Sequence, residues 1–416
     1  MFDLLFKRPA PVRRHLEAPY AQERQQYLAM QARQGNTHST LQFTAQDLLW
    51  IACKLSIYLD LRTVTMEQVR ALADDWKKRE RACGRLLNKA FTRQRYLRLA
   101  ASWLRFLGHL HASAQPIPFE PRLQEYCHWA REERGLSEAT VKQFSSQIRH
   151  FLRWYGTLGR DLADVQVGDV DTYLAHGGAH GWSRITMNNV AAALRAFFRY
   201  CTQRHWTREH FADSIRGPRI YVLEGLPVGP DWSDVQRLFA ALDRRDPTDL
   251  RDRPILMLMA IYGLRAGEVA KLRLEHFDWE QDRLHVPRPK RRETQVYPLL
   301  PSFRDALVRY LQKVRRRPSV HREVFLTLRP PFRPISAGGL YHIAARRLKV
   351  LGVRTAHHGP HSLRHACAAR LVAEGLSLKE IGDHLGHRST SATRTYAKVD
   401  LRGLREVAAF DVGELL

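Results

Sequence analysis

The chain has 416 residues, enough for two or three domains with separate hydrophobic cores. Lysine and arginine number 67 against 42 acidic residues, which gives a formal net charge of +25 spread over the whole length. A basic globular protein of this size most often binds nucleic acid, and the alternative is a basic enzyme without such a partner. No apolar run of about 18 residues occurs, so the composition argues against a membrane protein.

The cysteines and the N-terminus limit the cellular compartment. The five cysteines form no CxxC pair and no framework spacing, which is typical of reduced thiols and argues against a cysteine zinc site. The first residues, MFDLLFKRPAPVRRH, hold too short an apolar stretch for a signal peptide. We therefore expect a soluble protein of the cytoplasm.

The N-terminal third predicts a small helical unit after an irregular arm. Residues 1–40 are rich in Arg, Gln and Pro with little periodicity, and we expect a mobile or DNA-following arm there. Three segments with helical periodicity follow, with Thr44, Thr65 and Thr92 as candidate N-caps. In the third segment, arginines interrupt an apolar stripe from Tyr96 to Phe106, which indicates packed core rather than a surface for stacking bases.

A proline-rich linker, HASAQPIPFEPRL, leads to a second helical region. Four helices are predicted there, and Ser137 and Ser183 are candidate N-caps for two of them. Such a compact set of helices could clamp a DNA duplex with its cations, although solvated helix faces would explain the same charges. The candidate DNA-binding residues of this region are Lys142, Arg149, Arg153, Arg184, Arg195 and Arg199.

A second linker, DSIRGPRIYVLEGLPVGP, precedes a lobe of mixed texture. Two helical segments come first, and the second has an apolar centre that must be buried. The stretches HFDWE, RLHVPRP and TQVYPL then predict short strands, with a turn at Gln281 and Asp282 and a basic turn before the last strand. Helices complete an α-rich lobe on a small sheet.

Four pieces of this lobe carry residues suited to phosphate chemistry. YGLRAGEVAKL places Arg265 near a helix N-terminus, where a guanidinium can be held against phosphate oxygens, and Glu268 can orient a partner. In the basic turn, Lys290 is a cation that can reach into a groove and deliver a proton, with Arg291 and Arg292 as further candidates for DNA binding.

The other two pieces lie in the last sixty residues. His361 and Arg364 in HSLRH are three apart and share a helix face, while His387 and Tyr396 follow in LGHRSTSATRTY. A tyrosine beside cations or proton carriers is a candidate nucleophile for a phosphate. The histidines of HHGPH could suggest a metal, but no complementary cysteine or carboxylate spacing accompanies them, so no metal site is predicted.

These four stretches, in this order and at these spacings, resemble the catalytic domain of the tyrosine site-specific recombinases, the family of phage lambda integrase and the Xer recombinases. Residues 119–215 resemble the family's helical core-binding domain more weakly. The lysine hairpin departs from the family pattern, because Pro289 and two arginines surround Lys290 where glycine is common.

The resemblance implies a chemistry. Tyr396 would attack the scissile phosphate, forming a 3′-phosphotyrosyl bond and releasing a 5′-hydroxyl. His361 would accept or return the tyrosine proton, and Lys290 would protonate the leaving 5′-oxygen. Because the covalent intermediate retains the phosphodiester energy, no ATP, metal or other cofactor is required.

The remaining roles also follow from the resemblance. Arg265 and Arg364 would balance charge on the non-bridging oxygens, His387 would donate a hydrogen bond to the phosphate, and Glu268 would support them. The implied partners are double-stranded DNA and further copies of the chain, as a tetramer on two DNA sites, with other recombinases or accessory proteins left open. The implied location is the nucleoid of a bacterial cytoplasm, without membrane contact.

The expected fold is mainly α. We predict an N-terminal helical extension of unassigned role (1–115), a helical core DNA-binding domain (119–215) and an α-rich α+β catalytic domain with a small antiparallel sheet (231–416), of the DNA breaking-rejoining enzyme type. The expected function is that of a mobile-element integrase or transposase. The alternatives are a telomere resolvase or type IB topoisomerase-like enzyme, and an accessory DNA-binding subunit without catalysis.

Overall fold

A computed structural model describes residues 1–58, 64–82, 93–111, 118–208, 211–220, 229–288, 293–315, 319–353, 355, 357–387 and 393. Internal contacts divide the chain into two compact units. The first unit joins Met1–Leu110 with Gly225–Leu416, and the second is His111–Glu224.

The N-terminal part of the first unit is helical from its second residue. Its elements are α1 (Phe2–Leu5), α2 (Pro9–Glu17), α3 (Ala21–Arg33), α4 (His38–Tyr58), β1 (Val64–Thr65), α5 (Met66–Ala82), α6 (Arg93–Phe106) and β2 (Leu110–His111). The expectation of an irregular arm over residues 1–40 is wrong, because Phe2, Leu5 and Leu28 are buried in the core of this part. Polar residues that alternate with these apolar anchors hide the helical periodicity.

Thr44 is not a helix cap, although the sequence predicted it to be one. α4 begins six residues before Thr44, whose hydroxyl instead donates to the carbonyl of Thr40 within the helix. Thr65 does cap α5, since its Oγ1 lies 3.4 Å from the N–H of Gln68. The predicted cap Thr92 lies outside the described residues. Tyr96 is fully buried, as predicted for the apolar stripe, whereas Phe106 at its end is 40% exposed.

The second unit is a compact helical group. Its helices are α7 (Glu120–Glu132), α8 (Glu138–Gly156), α9 (Val167–Ala179), α10 (Arg184–Gln203) and α11 (Phe211–Ser214). Both predicted caps are confirmed, because Ser137 accepts from the N–H of Thr140 at 3.3 Å and Ser183 accepts from that of Thr186 at 3.1 Å. Aromatic side chains from α7, α8 and α10 fill the core between the helices.

The C-terminal part of the first unit combines seven helices of the described chain with one sheet. The helices are α12 (Trp232–Ala241), α13 (Pro247–Ala260), α14 (Ala266–Val269), α15 (Pro301–Lys313), α16 (Ala337–Val350), α17 (Pro360–Ala373) and α18 (Leu378–Leu385). The strands are β3 (Phe277–Asp278), β4 (Arg283–Arg288) and β5 (Glu293–Pro298). They pair antiparallel in the order β3-β4-β5, which confirms the three predicted strands.

Register in the sheet decides which side chains meet the helices. In β4 the side chains of Leu284, Val286 and Arg288 are buried, in strict alternation with more exposed neighbours. Leu284 pairs with Tyr297 and Arg288 pairs with Glu293 across the ladder to β5. Leu284 and Val286 belong to the same core as the apolar centre of α13, which is buried as its sequence required.

Separate hydrophobic cores lie within residues 2–104, 123–215 and 235–366. Each of these ranges falls inside one of the three predicted domains, and the division 1–115, 119–215 and 231–416 stays our proposal. Within the described residues, no helix is long and apolar enough to cross a membrane.

Candidate active site

The first arginine of the site lies at a break between two helices. After α13 ends, the chain turns through Gly263 with a φ of +60°, and a Cβ there would lie 2.4 Å from Cδ2 of Leu385. Only glycine suits both this backbone conformation and this packing. The turn brings Arg265 to the N-cap of α14, where its backbone N–H donates to Oε2 of Glu268 at 2.8 Å. Arg265 therefore lies near a helix N-terminus, as the sequence predicted.

The side chain of Arg265 is held on one side and open on the other. Its Nη1 donates to Oε1 of Glu268 at 2.9 Å, and both terminal nitrogens lie 3.5 Å from the carbonyl oxygen of Gly386. The side chain nevertheless keeps 35% of its surface exposed. A guanidinium fixed in this way can still present N–H groups to an incoming anion.

Arg364, on α17, contacts the C-terminal end of α18, next to the Gly386 carbonyl that Arg265 contacts. The residue is only 4% exposed, and it donates to the carbonyl of Gly263 and, at 2.8 Å, to that of Leu385. α18 ends at Leu385, and Gly386 follows as its left-handed cap. Both arginines thus bind the final carbonyls of α18, where the partial negative charge of a helix C-terminus favours cations.

His361 lies one helical turn before Arg364 and remains accessible to solvent. Desolvation by its surroundings and the charges of Arg364 and Arg265 lower the pKa of His361 below its ordinary value. A lowered pKa keeps the imidazole neutral near pH 7, so that it can accept a proton.

These residues surround a small pocket of about 130 Å³. Its polar lining comes from Arg265, His361 and Arg364, and its walls include Tyr341 of α16 and Pro360. Tyr341 is 49% exposed, and its ring packs so closely on Gly359, the N-cap of α17, that a Cβ there would lie 2.7 Å from it. Two guanidinium groups and a neutral imidazole at one opening suit a phosphodiester, whose oxygens the cations can bind.

His387 follows directly on the helix end that holds both arginines. Its backbone N–H donates to the carbonyl of Gly382 at 2.9 Å, and its Nδ1 lies 2.8 Å from the hydroxyl oxygen of Thr393. Thr393 is buried, with 1% of its surface exposed. When this hydroxyl donates to Nδ1, the ring carries its proton on Nε2 and can donate from there.

A buried ion pair lies behind Arg265. Arg288, 3% exposed, donates to Oε2 of Glu268, to the hydroxyl of Tyr297 at 2.6 Å and to Oε1 of Gln295 at 3.1 Å. Burial alone would raise the pKa of Glu268, but the charge of Arg288 and the hydrogen bonds from both arginines hold the pKa below its usual value. Burial raises the pKa of Tyr297 to about 12.

Comparison with known proteins identifies the architecture. The model of the phage integrase family matches residues 231–402, and that of the phage integrase N-terminal SAM-like domain matches residues 123–205. The Sinorhizobium fredii protein y4rA, which carries the name integrase/recombinase, is 33% identical over 298 residues, covering 70% of this chain and 71% of its own. The chain belongs to the phage integrase family.

Further relatives agree with this assignment. The tyrosine recombinase XerD of Listeria monocytogenes is 26% identical over 296 residues, covering 68% of this chain and 96% of its own. The structure of a lambda integrase dimer bound to a core site has a TM-score of 0.53 at 17% identity, covering 68% of this chain and 96% of that one. The resemblance seen in the sequence is confirmed, as is the predicted fold, and this member of the phage integrase family is an enzyme of DNA breakage and rejoining.

Several predicted site residues of this integrase lie outside the described part of the chain. They are Lys290, Arg291, Arg292 and Tyr396. The described residues bring together Arg265, Glu268, His361, Arg364 and His387 around the pocket and the end of α18. Among the described residues, no group of three or more His, Cys, Asp or Glu side chains is arranged to hold a metal ion.

The candidate DNA-binding cations of the second unit differ in their surroundings. Arg149 forms an ion pair with Glu120 at 2.9 Å, and Arg199 forms one with Asp213 at 3.2 Å. Arg195 donates twice to the carbonyl of Ile215, at 2.8 and 3.0 Å. The exposed members of the set are Lys142, Arg153, Arg184 and Arg199. Direct contact of all six with DNA stays a prediction.

Sequence reasoning missed four residues that support the site, namely Arg288, Gln295, Tyr297 and Thr393. The sequence held one signal, because Arg288 falls on the same face of the alternating strand RLHVPR as Leu284 and Val286. A basic residue on the buried face of a strand needs a buried partner, and such a partner points to a polar network. No comparable signal marked Thr393.

Proposed function

We propose that this integrase exchanges DNA strands at specific sites through a covalent 3′-phosphotyrosyl intermediate on Tyr396, as the integrase or transposase of a mobile element. Membership of the phage integrase family supports the general reaction. The observation that carries the proposal is the convergence of Arg265, Arg364 and a neutral His361 on one pocket beside His387.

The proposed cleavage step transfers the scissile phosphate from the 5′-oxygen of the DNA to Tyr396. The phenol oxygen of Tyr396 forms a bond to phosphorus while the bond to the 5′-oxygen breaks. His361 takes the phenol proton, and Lys290 gives a proton to the leaving 5′-oxygen. Free tyrosine has a pKa of about 10, so the nearby cations and the base are needed for attack at neutral pH. Rejoining reverses these transfers.

In this proposal the described residues stabilise charge. Arg265 and Arg364 bind the non-bridging oxygens, and His387 donates a hydrogen bond from Nε2 to the phosphate. Each such preorganised donor typically contributes about 3 to 4 kcal/mol to stabilising the transition state. The chemistry needs no ATP or metal, because the tyrosyl ester keeps the energy of the broken phosphodiester.

Double-stranded DNA is the proposed substrate, bound by cations of both units. The predicted tetramer on two DNA sites is part of the proposal. Lambda integrase, which shares the fold, has been solved as a dimer on its core site. A nucleoid location in a bacterial cytoplasm belongs to the same proposal.

A nicked suicide duplex tests the mechanism, built from the genomic junctions that flank the gene. We expect a covalent protein–DNA adduct with the wild-type chain and none with Tyr396→Phe. The matched control is Tyr341→Phe, because Tyr341 is an exposed tyrosine in the lining of the same pocket and the natural rival as nucleophile. An adduct that survives Tyr396→Phe but disappears with Tyr341→Phe would contradict the assignment of Tyr396.

A further inference from the structure

Arg288 is 3% exposed and lies close to the pocket without lining it. It ends β4, and its guanidinium uses all three nitrogens on three different side chains, those of Glu268, Gln295 and Tyr297. Leaving any of these polar groups unpaired in a buried place would cost free energy. The planar fork of arginine can satisfy all three, and a lysine ammonium cannot match that geometry.

One arm of this network leads to Arg265. Glu268 places one carboxylate oxygen on Arg288 and on the backbone N–H of Arg265, and the other oxygen on the Arg265 side chain. The carboxylate therefore cannot rotate without breaking a contact to one of the two arginines. Through Glu268, the position of Arg288 sets the position of the Arg265 guanidinium.

The other arm leads to the end of α18. The Tyr297 hydroxyl accepts from Arg288 and donates to the carbonyl of His384, while Gln295 donates to the carbonyls of Asp383 and His384 at 2.7 and 3.2 Å. These contacts fix the last turn of the helix, which provides the carbonyls that bind both arginines of the pocket.

Direct packing joins the two arms. Gly386 caps α18 with a φ of +64°, and a Cβ there would lie 2.8 Å from Cζ of Arg288. The guanidinium of Arg288 thus touches the backbone from which His387 continues. The Arg288 side chain therefore contacts Glu268, which holds Arg265, and Tyr297, which binds the end of α18. It also packs against Gly386, the residue before His387.

We propose that Arg288 is a positioning residue for strand cleavage, which aligns Arg265, Arg364 and His387 with the scissile phosphate without touching the DNA. This inference rests on the proposed function. A merely structural role is the rival, because a buried ion pair can also serve stability alone. The two roles differ in what they predict for the cleavage rate of folded, DNA-bound protein.

The test measures single-turnover cleavage of the suicide duplex at saturating protein, together with the dissociation constant for DNA and the melting temperature. We expect Arg288→Lys and Arg288→Met to cleave about 100-fold more slowly than wild type, the scale on which a displacement of about 1 Å reduces catalysis. The affinity of Arg288→Met for DNA should equal that of Arg304→Met, and Arg288→Lys, which keeps the charge, should bind DNA like wild type. Arg304 is a 43% exposed partner of Asp282 in the same unit and controls for the lost charge.

A second control separates stability from positioning. Asp252 is fully buried between arginines of α13 and α16, and the Asp252→Asn variant should lower the melting temperature while leaving cleavage at the wild-type rate below that temperature. Arg288 variants that cleave as fast as Asp252→Asn would overturn the inference.

Tyr297→Phe decides the question if the Arg288 variants do not fold. It removes one hydroxyl between Arg288 and the end of α18 and keeps the packed ring. We expect slower cleavage with unchanged DNA affinity, and a wild-type rate would overturn the inference. Tyr396→Phe runs in parallel, because an adduct in that variant would refute the proposed nucleophile without bearing on Arg288.

Discussion

Replacing Thr393 with valine should slow strand cleavage by removing one buried hydroxyl. The substitution keeps the shape of the side chain but leaves Nδ1 of His387 without the hydroxyl 2.8 Å away. A net hydrogen bond contributes about 1 kcal/mol, whereas complete loss of a preorganised donor in a transition state costs about 3 to 4 kcal/mol. We expect a loss between these limits, about 10- to 100-fold in rate, since the His387 ring is misdirected rather than removed.

The assay is single-turnover cleavage of the nicked duplex with Thr393→Val, Thr393→Ser and His387→Ala. Serine keeps the hydroxyl and loses one methyl group, so Thr393→Ser should lose about 1 kcal/mol of stability and little of its rate. Affinity for DNA should be the same in all three variants. The reasoning is refuted if Thr393→Val cleaves as fast as Thr393→Ser, because the hydroxyl would then contribute nothing to His387.

Three further outcomes are expected from the same site and from the N-terminal core. The cleavage rate should fall on acidification with a midpoint below about pH 6.5, because burial, Arg364 and Arg265 lower the pKa of His361 and only its neutral form accepts a proton. The His361→Ala variant should lose this dependence of the rate on pH. Arg364→Lys should cleave about 100-fold more slowly with unchanged DNA affinity, since an ammonium cannot replace the fork, and a normal rate would refute its role. Burial and the charge of Arg24 lower the pKa of His15 to about 4, so on acidification His15 is protonated in the unfolded chain before it is protonated in the folded chain. The free energy of unfolding, measured with urea, should therefore fall by at most about 3 kcal/mol from about pH 6.5 to 4, and His15→Asn should flatten that fall.

Much of the catalytic lobe could be predicted because its signals are local. Helix caps such as Ser183 and the short strand in RLHVPRP each follow from the chemistry of a few neighbouring residues. The order of the four motif stretches along the chain also contributed, because it matched the order in the tyrosine recombinases. Their convergence itself was visible only through the family resemblance, since it depends on contacts such as the one between Arg364 and Leu385, 21 residues apart.

Two of the misses, the first helices and Arg288, have a common physical cause. The first helices bury few apolar residues each, and α2 and α3 depend on Arg24, a fully buried arginine that donates to the carbonyls of His15, Ala18 and Pro19. A basic residue counted as exposed lowers the apparent periodicity of the segment. Arg288 was missed for the same reason, because in both places the arginine is part of the interior.

The arrangement of partners around the two pocket arginines explains how the site stays ready for an anion. Like charges repel at short range, so cations gathered at one point need compensation before the phosphate arrives. If carboxylates paired with every guanidinium, a phosphate would have to displace them. Arg364 donates to backbone carbonyls at the end of α18 and at Gly263, whose dipoles orient the cation without cancelling its charge. Glu268 is shared between Arg265 and Arg288, so that one negative charge holds two arginines.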